Sequence, residues 1–415
     1  MSYPLEAIRG QFPALAIRDD GQPRIYFDNP AGTQVPATVA ERMSRCLLES
    51  NANVGRGFET SRRADAVIAE AHSAMADFLG AASADEIIFG QNMTTLTLHL
   101  SRSIGRTLTP GDEIVLSRMD HDANVAPWLL LARDLGLEVR WLEFNRETFE
   151  FELGHLEQLL NARTKLVCIG GASNLIGTIN DIGSICRLAR EAGAISFIDA
   201  VQLAPHLPID VQSVGCDFLA CSAYKFFGPH QGILYGRREL LESLEPYKVR
   251  PAPDGIPGAY ETGTQSHEGM AGTTAAVDYF ASIGEQFAAS KASDRSARIR
   301  AGLDFLFDYE AGLAGQLIDG LQSLPGVDVR GITDRQAFAR RVPTVAFTAE
   351  GKRPADIAEG LARRNIFVWS GHNYAVEVVR FLGLWDAGGV VRVGPVHYNS
   401  AEEIDALLNA LEQLL

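Results

Sequence analysis

Seven short apolar runs, each closed by glycine or a polar residue, mark the chain as far as Gly236; they lie at 86–89, 113–116, 139–144, 165–169, 195–198, 217–221 and 232–236. Helical periodicity fills several of the gaps, over 61–79, from about 90 to 104, after Pro127 and over 153–160. Buried runs of this length, joined by turn and helix signals, predict neighbouring strands of a mostly parallel sheet. The ligand crevice of such a sheet lies beyond the carboxyl ends of its strands. Ahead of the first run, the pattern predicts a helix over 5–12 and a short strand over 25–27. Behind the last, it is largely helical from about 276 to 324. A smaller α+β unit follows, with strands at 344–348, 366–369 and 390–393 and helices at 354–364 and 401–415. A chain of 415 residues is long enough for two units that each bury a core. We place residues 21–275 in a large domain, and 1–20 with 276–415 in a small one.

Two of these runs end in groups that an apolar strand has no need to carry. The run at 195–198 leads into Asp199 and then Gln202, and the run at 217–221 leads into Ser222 and then Lys225. Alone, the aspartate reads as a cap and the lysine as a solvated surface group. After consecutive strands they would enter one crevice together. Pyridoxal phosphate needs that pair, a lysine to hold it as a Schiff base and an acid to keep its ring nitrogen protonated. Ser222 could then meet the phosphate and Gln202 the ring hydroxyl. A helix start at Gly90-Gln91-Asn92-Met93-Thr94-Thr95 is a natural phosphate site, with Thr94 and Thr95 adding hydroxyls. A plain N-cap is the alternative there.

Asp-Ala-Val-Gln at 199–202 and Cys-Ser-Ala-Tyr-Lys-Phe-Phe-Gly-Pro at 221–229 resemble the aminotransferase class V group, most closely its cysteine desulfurase and selenocysteine lyase branch. The resemblance runs over nearly the whole chain. It implies the fold type I architecture of pyridoxal phosphate enzymes, an α/β large domain with a mostly parallel seven-stranded sheet and a small α+β C-terminal domain. It also implies pyridoxal 5'-phosphate as cofactor and an amino acid as substrate. Met119-Asp120-His121-Asp122-Ala123-Asn124 matches the motif whose first histidine stacks on the cofactor ring, here His121. Asn174 matches the asparagine at the ring oxygen, and Arg392 the arginine that forks onto the substrate carboxylate. Asn29 and Arg56 fall on loops that border the family's active site. Thr264, in Tyr260-Glu261-Thr262-Gly263-Thr264, matches a threonine that completes the neighbouring subunit's phosphate site, so the resemblance implies a homodimer with shared sites.

Departures from the family's pattern bear on the chemistry. Tyr224 stands where the branch has histidine beside the lysine. The desulfurase loop Arg-x-Gly-x-x-Cys reads Trp369-Ser370-Gly371-His372-Asn373-Tyr374 here. A phenol, with a reference pKa of about 10, has no sulfur with which to accept sulfur. The five cysteines are Cys46, Cys168, Cys186, Cys216 and Cys221, and none lies beyond the last of these. The expected enzyme forms an external aldimine with its substrate and removes the α-proton through Lys225. Three outcomes follow: β-elimination by a C–S lyase, epimerisation as in isopenicillin N epimerase-like relatives, or transamination. The desulfurase-like framework puts the lyase first. Tyr374 is a candidate acid, and Trp369, His372 and Asn373 with it suggest a roomy or aromatic-tolerant substrate pocket. A relative that binds cofactor without turnover is the non-enzyme alternative, and retention of Lys225, Asp199, Gln202, His121 and Arg392 argues against it. No G-x-G-x-x-G follows an early strand, which argues against a nicotinamide enzyme.

Bulk properties narrow the classes further. A formal net charge of -15 argues against nucleic acid, whose binding depends on clustered Lys and Arg. No apolar run is long enough to span a bilayer, and the N-terminus lacks the parts of a signal peptide. An odd number of unpaired cysteines suits a reducing compartment, so a cytoplasmic location is expected. Neither C-x-x-C nor H-E-x-x-H occurs, and no metal site is expected.

Overall fold

The seven apolar runs all become strands of one sheet. They are β1 (Ile87–Gly90), β2 (Glu113–Ser117), β3 (Glu138–Leu142), β4 (Thr164–Gly170), β5 (Ile195–Asp199), β6 (Phe218–Ser222) and β7 (Gly232–Gly236). Their order across the sheet is β1-β7-β6-β5-β4-β2-β3 in the computed structural model, which describes residues 3–288 and 292–415. Only β7 runs against its neighbours, β1 and β6; the remaining pairs are parallel. Every residue of β2, β6 and β7 is buried. Parallel strands covered on both faces read as unbroken apolar runs for this reason. The carboxyl ends of β2, β4, β5 and β6 therefore share one edge, which the ends of β1 and the start of β7 also reach.

The small unit is a four-stranded antiparallel sheet in the order β8-β9-β11-β10, from β8 (Val327–Arg330), β9 (Val345–Ala349), β10 (Trp369–Gly371) and β11 (Val390–Val393). The run at 366–369, expected as one strand, is divided. Ile366–Phe367 pairs in parallel with Ile25–Tyr26, while Trp369 onward pairs with β11.

The two cores are joined through helices. Position 275 falls inside a helix, His267–Gln286, whose buried face packs in the large core. The next helix, Arg295–Ser323, has 29 residues. At about 1.5 Å per residue it spans about 44 Å, more than one unit can cover. Its Ile299, Leu303 and Leu306 join the large core and its Leu313, Leu317 and Leu321 the small one. The changeover thus lies within this helix. At the N-terminus, Ile8 and Phe12 also belong to the large core, whereas Ile25 and Phe27 belong to the small one.

Where the long helix crosses between units, Glu310 is fully buried. It accepts from His206 Nδ1 at 2.7 Å and from the His397 backbone N–H at 2.9 Å, with His397 Nδ1 at 3.2 Å. Burial opposes its ionisation, but His206 and His397 outweigh that and hold the carboxyl below its usual range. His397 Nε2 meets Tyr279 Oη at 2.8 Å, so the polar chain extends into the large core. Breaking such a buried pair from one side leaves the partners uncompensated, so Glu310→Ala is expected to cost about 3–5 kcal/mol. Urea unfolding of the two proteins would show it, and a loss under about 1 kcal/mol would mean the network contributes little.

Candidate active site

Each carboxyl end at the shared edge delivers one polar group. Asp199 closes β5, while Ser222 closes β6 and a single turn, Ala223–Lys225, carries the lysine beyond it. His121 follows β2, and Asn174 follows β4. These residues line one cavity of about 570 Å³ together with Thr94, Thr95, Gln202 and Tyr224. Nine residues expected from the sequence thus meet in one place.

The helix at the floor, Met93–Gly105, starts with a capping box. Thr95 N–H donates to Asn92 Oδ1 at 2.9 Å, and Asn92 N–H donates to Thr95 Oγ1 at 3.3 Å. The Met93 N–H instead reaches out of the helix to Ser222 Oγ at 3.0 Å. Ser222 and the helix start therefore form one concave group of donors, which with the positive end of the helix dipole suits a phosphate. This closeness depends on Gly232 in β7, where a Cβ would lie 2.4 Å from the Asn92 carbonyl carbon.

Lys225 Nζ donates to the carbonyls of Pro30 at 2.5 Å and Ala31 at 3.0 Å. Burial and the positive charge of Arg392 pull its pKa down to about 7, against the pull of Asp199 and Asp28. Near neutral pH much of this amine is unprotonated and so able to act as a nucleophile or base. Gln202 Nε2 donates to the same Pro30 carbonyl at 2.8 Å. Burial lifts Asp199 to about 6, opposed by the Val201 N–H and by Lys225. A cationic ring nitrogen beside Asp199 would draw it back to the ionised form. Burial, Lys225 and Arg392 hold His121 down at about 3, so its ring is neutral. Its Nδ1 accepts from the Ala123 N–H at 3.0 Å.

Arg392 reaches the site from β11 of the small unit. Its guanidinium is buried, and Nη1 donates to the Asn174 carbonyl at 2.9 Å. Asn174 in turn donates from Nδ2 to the Asn373 carbonyl at 2.7 Å. The Asn174 loop is pressed against the small unit through Gly177 at φ 80°, where a Cβ would stand 2.4 Å from the Thr344 carbonyl oxygen. Arg392 Nε and Asn174 Oδ1 are buried without a hydrogen-bond partner. Atoms left so are costly unless a bound group satisfies them.

Other expected residues lie outside this cavity. Arg56 is exposed on the loop between two helices, and only its backbone is fixed, by Ser61 Oγ. Asn29 is buried and donates to the carbonyls of Tyr26 at 2.9 Å and Gly394 at 2.7 Å, so its amide is already engaged by the protein. Thr264 is exposed and lines a second cavity, which shares Gln91, Asn92, Thr95 and His230 with the first. His372 and Tyr374 lie at the rim. The Tyr374 ring stacks on His121 at 5.5 Å and 17°, outside the cavity wall, and Tyr374 is 64% exposed. The candidate acid therefore does not face the cavity. All five cysteines are buried, and burial raises Cys221 and Cys168 well above the usual thiol range.

Asp120 is the group that sequence reasoning passed over. It accepts from Ser117 Oγ at 2.7 Å, the Gly170 N–H at 2.8 Å and Asn124 Nδ2 at 2.8 Å, and it lines the cavity. Burial lifts it to about 7, and the charge of Asp199 adds to the rise. Its signal was faint, a carboxylate between an apolar residue and His121.

A lysine amine, an acid, a flat neutral imidazole and a phosphate cup on one wall fit pyridoxal phosphate, and the Arg392 guanidinium, behind the wall at Asn174 and with Nε unpartnered, fits a carboxylate. The aminotransferase class-V family model matches residues 25–407. The chain belongs to that family. This class-V chain is 31% identical to a cysteine desulfurase of Pectobacterium atrosepticum, over its full length and 98% of the relative. It is 34% identical to the aminotransferase-like protein FGM3 of Gibberella zeae, over its full length and 99% of that protein. Among solved structures, the apo cysteine desulfurase of Thermococcus onnurineus NA1 superposes with a TM-score of 0.87 at 30% identity, over the whole of this chain and 98% of the other. The class-V chain is a pyridoxal phosphate-dependent enzyme.

Proposed function

We propose that this enzyme is a C–S β-lyase that acts on an S-substituted L-cysteine. The observation that carries the proposal is a buried Lys225 on the cavity wall with a buried Arg392 close enough to act on its charge, while the five cysteines are all buried and Tyr374 stands at the loop position. Lys225 would hold the cofactor, Asp199 would face its ring nitrogen, Gln202 and Asn174 its ring oxygen, and His121 one ring face. Ser222, Thr94, Thr95 and the Met93–Gly105 helix start would take its phosphate. When bound, the cofactor supplies an electron sink for the substrate's α-carbon.

Arg392 binds the α-carboxylate and so orients the Cα–H bond. Lys225 takes the α-proton as general base. The electron pair left at Cα forms a new Cα–Cβ double bond, and the Cβ–S bond breaks with its pair going to sulfur. Water then hydrolyses the released 2-aminoacrylate, so one substrate and one water yield pyruvate, ammonia and one thiol. A thiol has a pKa of about 8.5, so the departing thiolate needs little help from an acid. That fits the position of Tyr374, whose ring stacks on His121 instead of facing the cavity. Tyr374→Phe keeps the ring and is expected to keep turnover within about threefold, whereas a loss of about 10²-fold or more would restore the acid role.

The product assay is direct. With S-methyl-L-cysteine, the reading predicts pyruvate, ammonia and methanethiol in equal amounts. Alanine formed from L-cysteine with sulfur left on the protein would contradict it. D-amino acid or an oxo acid that retains its side chain would point instead to epimerisation or transamination.

A homodimer belongs to the same reading. Thr264 is displayed beside a cavity that opens onto the phosphate cup, so a second copy could supply it there. Sedimentation should give twice the chain mass, and a monomer that retains full activity would contradict this. Free, buried cysteines fit a reducing cytoplasm. Among the described residues no helix is long and apolar enough to cross a membrane.

A further inference from the structure

Exposed aromatic side chains, Trp369, Tyr374 and Trp385, gather on the segment of the small unit that begins at β10. Trp369 pairs with Arg392 across the antiparallel strands β10 and β11. Directly opposed residues in such a pair place their side chains on the same face, close together. Trp369 therefore flanks the guanidinium that is read as the carboxylate site. It is 50% exposed, and among the described residues it makes no ring or cation contact of its own. A large indole beside a buried cation, with its faces unengaged, is the informative kind of exposed apolar group.

The Tyr374 ring is held nearby, although more exposed. Asn373 and Tyr374 both adopt left-handed backbone, at φ 52° and 57°, a strained choice for non-glycine residues. Three hydrogen bonds hold them there. The Asp122 N–H donates to the Tyr374 carbonyl at 2.7 Å, Asn174 Nδ2 to the Asn373 carbonyl at 2.7 Å, and the Tyr374 N–H to His372 Nδ1 at 3.0 Å. Behind the loop, His372 stacks on Trp385 at 5.6 Å, and Arg380 lies over the same indole at 4.7 Å. The chain thus spends strain and hydrogen bonds on displaying a ring toward solvent at the mouth of the site.

We propose that Trp369 forms a side-chain subsite that selects amino acids bearing a planar aromatic group, so that the substrates are S-aryl or S-benzyl conjugates of L-cysteine. The inference rests on the β-elimination reading for the leaving group and on the placement of Arg392 for the anchor. With the α-carboxylate on Arg392 and the amino end toward Lys225, the indole paired with Arg392 on the same sheet face is the aromatic surface offered to a substituent beyond Cβ. Aromatic pairs contribute attraction beyond the area they bury. An aryl thiolate also leaves more readily than an alkyl one, so the subsite and the chemistry favour the same substrates.

The test is binding of S-phenyl-L-cysteine and S-methyl-L-cysteine to the holoenzyme, followed by tryptophan fluorescence and calorimetry, with products assayed separately. The wild type is expected to bind the phenyl compound at least about tenfold more tightly. Trp369→Ala should lose most of that preference while its Kd for the methyl compound stays within about twofold, and Trp369→Phe should retain it. Equal affinities in the wild type, or equal weakening of both ligands by Trp369→Ala, would overturn the subsite. Selective binding of the phenyl compound without release of thiophenol would support the subsite and overturn the elimination reading, so the two failures are distinguishable.

Discussion

Lys225→Ala is expected to abolish borohydride-stable attachment of the cofactor and to lower turnover by at least about 10³-fold. Lys225 is the only lysine or arginine on the cavity wall among the described residues. Its amine is pulled down to about 7 by burial and Arg392, which makes it both a nucleophile for an aldehyde and a base for an α-proton. Removing it removes both roles together, so the effect is larger than for any residue that only orients. Mass spectrometry of the reduced protein and steady-state assays check the two parts independently. Cofactor fixed at another lysine, or turnover within about tenfold of wild type, would contradict the assignment.

Arg392→Met should have opposite effects on substrate binding and on stability. The guanidinium is buried, burial lowers its pKa to about 10, and Asp28 is the one charge that supports its cationic form. A bound carboxylate is the partner that such a group lacks. Replacing it with an apolar side chain of similar length is expected to weaken amino-acid binding by about 30-fold or more, as befits a loss of about 2–5 kcal/mol at a buried charge pair. The free protein is relieved of a poorly paired cation, and its stability is expected to rise by about 1 kcal/mol. Substrate titration and thermal unfolding of the same preparation test this. Weaker binding with an equally large fall in stability would mean that Arg392 mainly holds the two units together.

The large sheet was legible because its strands are buried on both faces. An unbroken run such as Phe218–Ser222 cannot be mistaken for an exposed hairpin. The small unit was read less well, since Ile366–Phe367 and Trp369–Gly371 form one apolar stretch yet pair with different partners. No local pattern records that division. The passage from one core to the other is equally silent in the sequence. The helix Arg295–Ser323 keeps one periodicity along its length while its buried face passes from one core to the other.

Within the site, residues at strand ends were predictable from position and chemistry, as Asp199, Ser222 and Lys225 show. Roles set by distant contacts were not. Asn29 is tied to Gly394, far away in sequence, so its amide is engaged by the protein itself. Tyr374 is turned outward by two left-handed residues that nothing in Gly371-His372-Asn373-Tyr374 announces. Asp120 is held by Ser117 and Gly170 at the ends of two strands and by Asn124 in the turn that follows, a setting that only the folded sheet provides.

The fate of the α-hydrogen tests the account most directly. S-phenyl-L-cysteine labelled with deuterium at Cα, turned over by the holoenzyme in ordinary water, would be followed by NMR and mass spectrometry. The account predicts that the label washes out to solvent and that pyruvate and thiophenol form together, with neither event in Lys225→Ala. D-isomer, or an oxo acid that keeps its phenylthio group, in place of pyruvate and thiophenol, or loss of the α-deuterium that persists in Lys225→Ala, would contradict it.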